Sequence, residues 1–137
     1  MKQLNPYLRF DGNCREAMTF YKNALGGELT LQTIGESPMA SQTPADAHKK
    51  ILHASLNSGG IALMASDMMG PGGVKKGNEI SLTVEGSSKE ETEALFSKLS
   101  AGGNVTHPLK EEFFGLYGDL TDKYGISWMF NFETPKA

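Results

Sequence analysis

The sequence predicts an α+β protein made of two β-α-β-β-β modules whose curled mixed sheets surround a cleft. Short segments alternate apolar and polar residues, which is typical of strands with two different faces. Two longer segments repeat apolar residues every three or four positions, which is typical of amphipathic helices. The same order of elements occurs twice, at a period of roughly 70 residues, so we expect two copies of one module.

The first module is predicted over residues 1–68. Residues 14–25 have helical spacing of apolar side chains, and the Gly26-Gly27 pair after them predicts the helix end. The polar segment 36–49 contains two prolines and no periodicity, which indicates a loop beside a cleft. The four alternating segments predict strands over residues 4–10, 28–35, 51–58 and 61–66.

The second module is predicted over residues 78–137, after a Gly-rich linker at 69–77. Ser88 and Glu91 have the spacing of a capping box, so a helix is expected over 88–101. The strands around it are predicted over residues 78–85, 104–112, 116–121 and 126–133. Because 137 residues lie within the usual range of one domain, both modules are expected to form a single domain.

The composition argues against nucleic-acid and membrane roles. The formal net charge is -3, and the longest runs of basic residues are the pairs Lys49-Lys50 and Lys75-Lys76. No apolar segment is long enough to cross a bilayer, and the first residues show no signal-peptide pattern. We therefore expect a cytoplasmic protein with neither nucleic acid nor membrane as a partner.

Cys14 is the single cysteine and lies where the first helix should begin. A helix N-terminus lowers the pKa of a thiol, so a reactive nucleophile is one interpretation. The alternative is a small, half-buried structural residue. The absence of a recognisable Cys-His signature favours this alternative.

The alternation divides four strands into two faces. One face is apolar and should contact the helices: Leu8, Phe10, Leu52, Ala54, Leu56, Ile80, Leu82, Val84, Trp128, Phe130 and Phe132. The other is polar: Asn5, Tyr7, Arg9, His53, Ser55, Asn57, Glu79, Ser81, Thr83, Glu85, Ser127, Met129 and Asn131. A single such face is usually turned to water, but four strands of this kind favour a polar pocket for a small molecule.

Several segments resemble one superfamily: residues 5–21, 25–28 and 53–56, and Tyr124-Gly125 before Trp128. They are similar to the vicinal oxygen chelate superfamily, which includes glyoxalase I, extradiol dioxygenases and the bleomycin and fosfomycin resistance proteins. Within it the chain resembles the PhnB-like branch, often labelled 3-demethylubiquinone methyltransferase-like. The resemblance spans nearly the whole chain and implies a glyoxalase-like fold, usually as a homodimer.

The resemblance also implies positions for a metal site. Carried over by position, the four ligand positions fall near Asn5, His53, Glu79 and Met129. An imidazole and a carboxylate suit Mn, Fe, Ni or Zn, whereas an amide is a weak ligand and a thioether favours softer ions. We therefore expect an incomplete metal set, with His53 and Glu79 as its possible ligands.

Without a metal, His53 and Glu79 could form a catalytic acid–base pair if they face each other across the cleft. The alternative is that Glu79 pairs with His53 or Arg9 merely to satisfy buried polarity. Trp128 lies on the apolar side and is expected in the core, while His48 and His107 are expected at the surface. The ligand-binding residues expected from the polar face and its neighbouring turn are Asn5, Tyr7, Arg9, Ser55, Met129 and Phe113.

Two functions are consistent with these residues. The first is a protein that binds a small molecule in a polar cleft without the full metal site, which the incomplete ligand set favours. The alternative is a divalent-metal-dependent lyase, isomerase or dioxygenase of the same superfamily. No G-x-G-x-x-G turn opens a helix, so the sequence shows no common S-adenosylmethionine site.

Overall fold

The computed structural model describes residues 1–68 and 72–134 of the chain. The chain divides into two compact units, Met1–Lys75 and Lys76–Ala137. This boundary falls within the predicted linker, of which residues 69–71 lie outside the described residues. The organisation as a single domain stays a prediction.

Unit 1 is one four-stranded mixed sheet with one α-helix. Its elements are β1 (Tyr7–Phe10), α1 (Cys14–Leu25), β2 (Glu28–Thr33), β3 (Ile51–Ser58) and β4 (Ile61–Asp67). The strand order is β1-β4-β3-β2, with β1 parallel to β4 and the other neighbours antiparallel. The parallel pair is therefore the first and last strand of the unit.

Unit 2 repeats this topology. Its elements are β5 (Leu82–Glu85), α2 (Lys89–Ser100), β6 (Asn104–Glu112), β7 (Gly115–Thr121) and β8 (Ser127–Glu133). The strand order β5-β8-β7-β6 corresponds strand for strand to that of unit 1, again with a parallel pair at one edge. The predicted α+β class with two β-α-β-β-β modules is confirmed.

Both helices lie where the periodicity places them. α1 has the predicted bounds, and α2 begins after Ser88, whose Oγ accepts a hydrogen bond from the backbone N of Glu91 at 3.0 Å. The Glu91 carboxylate accepts from the backbone N of Ser87 at 2.9 Å, one residue earlier than a capping box requires. Among the described residues, no helix is long and apolar enough to cross a membrane.

The first strand of each unit is shorter than predicted. β1 begins at Tyr7 instead of residue 4, and β5 begins at Leu82 instead of residue 78. β5 pairs only with β8, which begins at Ser127, so the residues before position 81 have no strand beside them. The prediction that Ile80 faces the helix is therefore wrong, and its side chain is 73% exposed.

The loop between β2 and β3 is more regular than the sequence suggested. It contains two short 3₁₀ helices, Pro38–Gln42 and Ala45–Ala47. The imidazole Nε2 of His48 lies 2.9 Å from the carbonyl oxygen of Ala40. His48 was expected at the surface; its side chain is half-buried, and this contact connects it to the first of the two 3₁₀ helices.

The core of unit 1 lies between α1 and the sheet, and it contains one buried carboxylate. Asp67, at the end of β4, is 5% exposed. Its Oδ1 accepts a hydrogen bond from the backbone N of Cys14 at 2.9 Å, and its Oδ2 accepts one from the backbone N of Ile51 at 2.8 Å. Asp67 therefore connects the first residue of α1 to the first residue of β3.

The core of unit 2 is built around aromatic residues. Phe130 is fully buried, and its ring contacts the ring of Phe96 of α2 edge-to-face at 5.1 Å. Trp128 is 4% exposed and donates its indole N–H to Oδ2 of the buried Asp122 at 2.8 Å. The prediction that Trp128 belongs to the core is confirmed.

Burial makes the thiol of Cys14 unreactive, which contradicts the idea of a nucleophile. The side chain is fully buried, and its burial, followed by the negative charge of Asp67, raises the thiol pKa to about 12. We expect iodoacetamide at mildly alkaline pH to leave Cys14 unmodified in the folded protein, as measured by intact mass. The same treatment in guanidinium chloride should add one carbamidomethyl group; rapid labelling without denaturant would contradict the prediction.

Candidate functional site

Unit 1 presents a polar sheet face on the side opposite α1, which we call the helix-free face. In β3 and β4 the side chains of Ala54, Leu56 and Ala65 are buried on the helix side. Residues paired across strands project to the same face. Tyr7 is paired with Met64, and Met64 with Ser55, so these three form one row of the helix-free face.

Tyr7 is the centre of a cluster of planar side chains on this face. Its ring centroid lies 6.1 Å from that of His53, and the two ring planes are tilted by 37°. The guanidinium carbon of Arg9 lies 5.8 Å from the Tyr7 centroid, within the range of a cation–π contact. The Tyr7–His53–Arg9 cluster thus combines an aromatic ring, an imidazole and a positive charge.

Asn5 lies next to this cluster and has an unused acceptor. Its Nδ2 donates to the sulfur of Met64 at 3.7 Å, while its Oδ1 is buried and has no hydrogen-bond partner. Buried polar atoms are normally satisfied, so this oxygen is suited to accept from a bound molecule. Met64 was not predicted as a site residue, although the alternation of Ala62, Met64 and Ser66 indicated its face.

The structure thus places five of the predicted site residues together in unit 1: Asn5, Tyr7, Arg9, His53 and Ser55. Their roles in binding stay predictions. Leu52 was expected on the apolar face and is only half-buried, whereas its neighbour Ile51 is 1% exposed. The register shift between β2 and β3 at this end explains why Ile51 is buried in place of Leu52, because it interrupts the strict alternation of the strand.

In unit 2 the predicted site residues are spread out. Met129 pairs with Thr83 and with Asp119, and its sulfur lies 4.0 Å from the Thr83 hydroxyl. Glu79 is exposed and precedes β5. Phe113 lies in the turn between β6 and β7 and is 98% exposed, and its ring centroid lies 5.3 Å from that of Phe114 in an edge-to-face arrangement.

The donors expected from the resemblance do not fit a complete divalent-metal site. Asn5 is a neutral amide whose Nδ2 contacts a sulfur, Met129 offers a thioether, and Glu79 lies outside its predicted strand. Within residues 1–68 and 72–134, no three His, Cys, Asp or Glu side chains lie together as a metal-binding group. His53 is in unit 1 and Glu79 in unit 2, and their proposed pairing stays a prediction.

A group of polar side chains on β6 and β7 was not predicted from the sequence. The carboxylate of Asp119 accepts hydrogen bonds from the side chains of Thr106, His107 and Tyr117. His107 is exposed as expected, but its pairing with Asp119 was not predicted. The signal was present in residues 116–121, where Tyr117 and Asp119 alternate with Leu116, Gly118 and Leu120.

Comparisons with known proteins agree on one family. Residues 2–130 match the sequence model of the family described as 3-demethylubiquinone-9 3-methyltransferase. The chain is 33% identical to the protein YjdN of Escherichia coli strain K12, with 93% of each chain covered. It is 41% identical to the crystal structure of PA1353 from Pseudomonas aeruginosa, covering 98% of this chain and 100% of that one, with a TM-score of 0.87.

The fold also recurs in more distant structures. The PhnB protein of Bacillus cereus is 25% identical, with 96% and 99% of the two chains covered and a TM-score of 0.76. A glyoxalase/bleomycin resistance protein/dioxygenase family enzyme from Burkholderia phytofirmans is 16% identical, with 96% of each chain covered and a TM-score of 0.56. The latter likeness establishes the glyoxalase-like fold and nothing about activity.

Proposed function

Because the chain belongs to the 3-demethylubiquinone-9 3-methyltransferase family, in its PhnB-like branch, we propose that it binds a small organic molecule against the helix-free face of unit 1. The binding needs no complete four-ligand metal site. The Tyr7–His53–Arg9 cluster is the observation that carries this proposal.

The cluster favours a planar ligand with a negative charge. Tyr7 is 40% exposed, so part of its ring is free to contact a flat molecule. Arg9 beside it supplies a fixed positive charge with donors arranged for a carboxylate. The buried Oδ1 of Asn5 adds an acceptor for a hydroxyl or N–H group of the same ligand. An aromatic carboxylate that also carries a hydroxyl or amino group has all of these features.

The family description names a methyltransferase, but the sheets support no such activity here. Both units have mixed sheets with the parallel pair at one edge, whereas common S-adenosylmethionine sites use a doubly wound parallel sheet. Neither α1 nor α2 is preceded by a G-x-G-x-x-G turn. We therefore treat the description as the name of a family, not as the activity of this chain.

The binding proposal is tested with a panel of aromatic carboxylates, screened by thermal shift and followed by calorimetry on any stabilising compound. We expect Tyr7→Ala and Arg9→Ala each to weaken binding by about tenfold or more, since each removes one of the contacts of the cluster. Arg15→Ala is the matched control, because Arg15 is an exposed cation on α1 and should leave the affinity unchanged.

Two results would count against the proposal. Unchanged affinity in Tyr7→Ala would show that the ligand binds elsewhere on the protein. Titration of the chelator-treated protein with Mn²⁺, Ni²⁺ and Zn²⁺ tests the metal-dependent alternative, with His53→Ala as the comparison. Tight binding that is lost in His53→Ala would favour a metal-dependent lyase, isomerase or dioxygenase over a metal-free binding protein.

The assembly and the compartment are further parts of this proposal. We expect a homodimer in the cytoplasm, without nucleic acid or membrane as a partner. Light scattering of the purified protein measures the mass of the assembly directly, and a monomer at every concentration would contradict the dimer.

A further inference from the structure

The edge strand β6 is irregular around His107, and this irregularity gathers polar side chains. Its register against β7 shifts between Val105 and His107 and again between His107 and Lys110. Successive side chains of a regular strand project to opposite faces, but an extra residue interrupts this alternation and redirects a side chain. Two neighbouring residues, Thr106 and His107, consequently both reach the carboxylate of Asp119.

Asp119 is the acceptor at the centre of this group. His107 Nδ1 lies 2.8 Å from its Oδ1 and 2.9 Å from its Oδ2, and the hydroxyl of Tyr117 donates to Oδ2 at 2.7 Å. Partial burial acts to raise the pKa of Asp119, but the hydrogen bonds from Thr106, His107 and Tyr117 outweigh it and hold the pKa below its usual value. Asp119 is therefore an anion at neutral pH.

The charge of Asp119 decides which nitrogen of His107 carries the proton. An ionised carboxylate can only accept, so Nδ1 of His107 must donate. Tyr117 keeps its own proton, because the hydrogen bond to Asp119, and then its burial, raise the pKa of the phenol. In neutral His107 the lone pair is therefore on Nε2, and within the described residues no hydrogen bond reaches that atom.

The low exposure of Asp119 distinguishes this pair from an ordinary surface ion pair. The His107 side chain is 72% exposed, but that of Asp119 is only 19% exposed. Exposed pairs are held weakly and in many geometries, whereas this carboxylate is held by three donors on two strands. The imidazole is thus oriented through Nδ1, and its Nε2 edge stays accessible to a ligand.

We propose that His107 and Asp119 form an acid–base site for the acidic hydroxyl group of a small organic molecule such as a phenol. Nε2 accepts the hydroxyl proton: the O–H bond of the ligand breaks, an N–H bond forms on Nε2, and the electron pair stays on the ligand oxygen. Asp119 is the positioning residue, since its negative charge stabilises the resulting imidazolium. This site lies entirely within unit 2 and does not depend on the proposed function of the Tyr7–His53–Arg9 cluster.

The strand pairing shows which other titratable groups lie near His107. Across the sheet, β7 contributes Asp119 and Tyr117, and the next residue of the row, Met129 of β8, does not titrate. The row beside it contains Lys110 of β6, Tyr117, Asn131 of β8 and Glu85 of β5. Lys110 is the cation of this neighbouring row, so a Lys110 variant is the control for the role of His107.

The probe is 4-nitrophenol, whose phenol and phenolate forms absorb at different wavelengths. In a slightly acidic buffer, where the free probe is mostly protonated, we expect the bound probe to absorb as phenolate in the wild-type protein. His107→Gln should weaken binding by about tenfold or more and abolish the phenolate signal. Asp119→Asn should bind the probe mainly as phenol, because the carbonyl of Asn can still orient His107 but cannot stabilise its positive charge.

Two controls keep the outcome interpretable. Lys110→Gln tests simple attraction by a neighbouring cation and should retain the phenolate signal. Nuclear magnetic resonance of the histidine rings locates the probe, since His107 reports this site and His53 reports the helix-free face of unit 1. The proposal is overturned if the probe shifts only His53, or if the phenolate signal survives in His107→Gln.

Discussion

Asp67→Ala is expected to lower the free energy of unfolding by about 3–6 kcal/mol, since a hydrogen bond to a charged group contributes about 1.5–3 kcal/mol and two are lost. The lost partners are the backbone N–H groups of Cys14 and Ile51, both in the buried part of unit 1. Within α1 nothing can replace the carboxylate as partner of the Cys14 N–H, because the first N–H groups of a helix have no acceptor inside the helix.

The measurement is urea denaturation followed by circular dichroism. Asp67→Asn should be less destabilised than Asp67→Ala, since the amide oxygen accepts one hydrogen bond while the amide nitrogen cannot accept the other. Asp46→Ala is the control, because Asp46 is exposed and should change the stability by about 0.5 kcal/mol or less. If Asp67→Ala and Asp46→Ala unfold at the same urea concentration, Asp67 does not hold α1 and β3 together.

Phe130→Ala is expected to destabilise the protein by about 3–5 kcal/mol, the range measured for large aromatic residues in cores. The Phe130 side chain is fully buried and contacts Phe96 of α2, so its removal leaves a cavity between the helix and the sheet. At roughly 2–4 °C per kcal/mol for a chain of this size, the melting temperature should fall by about 10 °C. Differential scanning calorimetry measures both quantities.

Phe113→Ala is the matched control, because the same side chain at that position is 98% exposed. It should leave the melting temperature unchanged, since it removes no buried surface from the described residues. If the melting temperature of Phe130→Ala lies within about 2 °C of wild type, the loss in stability is about 1 kcal/mol or less. That result would contradict the packing of α2 on the sheet.

The buried carboxylates show why residue type alone is a poor guide to the site. Asp67 and Asp122 are the most buried carboxylates described here, at 5% and 3% exposed, and a search for catalytic acids would select them first. Both are occupied by structural partners: Asp67 holds two backbone amides, and Asp122 accepts from Trp128. In unit 1 the more exposed polar side chains of the Tyr7–His53–Arg9 cluster lie on the opposite side of the sheet from Asp67.

Local patterns were sufficient to predict most elements. The bounds of α1 were predicted correctly, because its apolar residues recur every three or four positions and the Gly26-Gly27 pair ends the helix. β3 and β6 were predicted with their bounds for a similar reason, since turn residues limit each alternating segment. The bounds of β1 and β5 were wrong because the length of an edge strand depends on its partner, which the local pattern does not contain.

The sequence by itself determined the class of fold, the repeated module and the division of each strand into a core side and a polar side. These depend on interactions within a few residues and on the period of apolar side chains. Only the tertiary structure decided which polar residues meet: the Tyr7 ring with His53, and Asp119 with Thr106, His107 and Tyr117. Strand register and bulges determine these contacts, and both are set by pairing between segments distant in the chain.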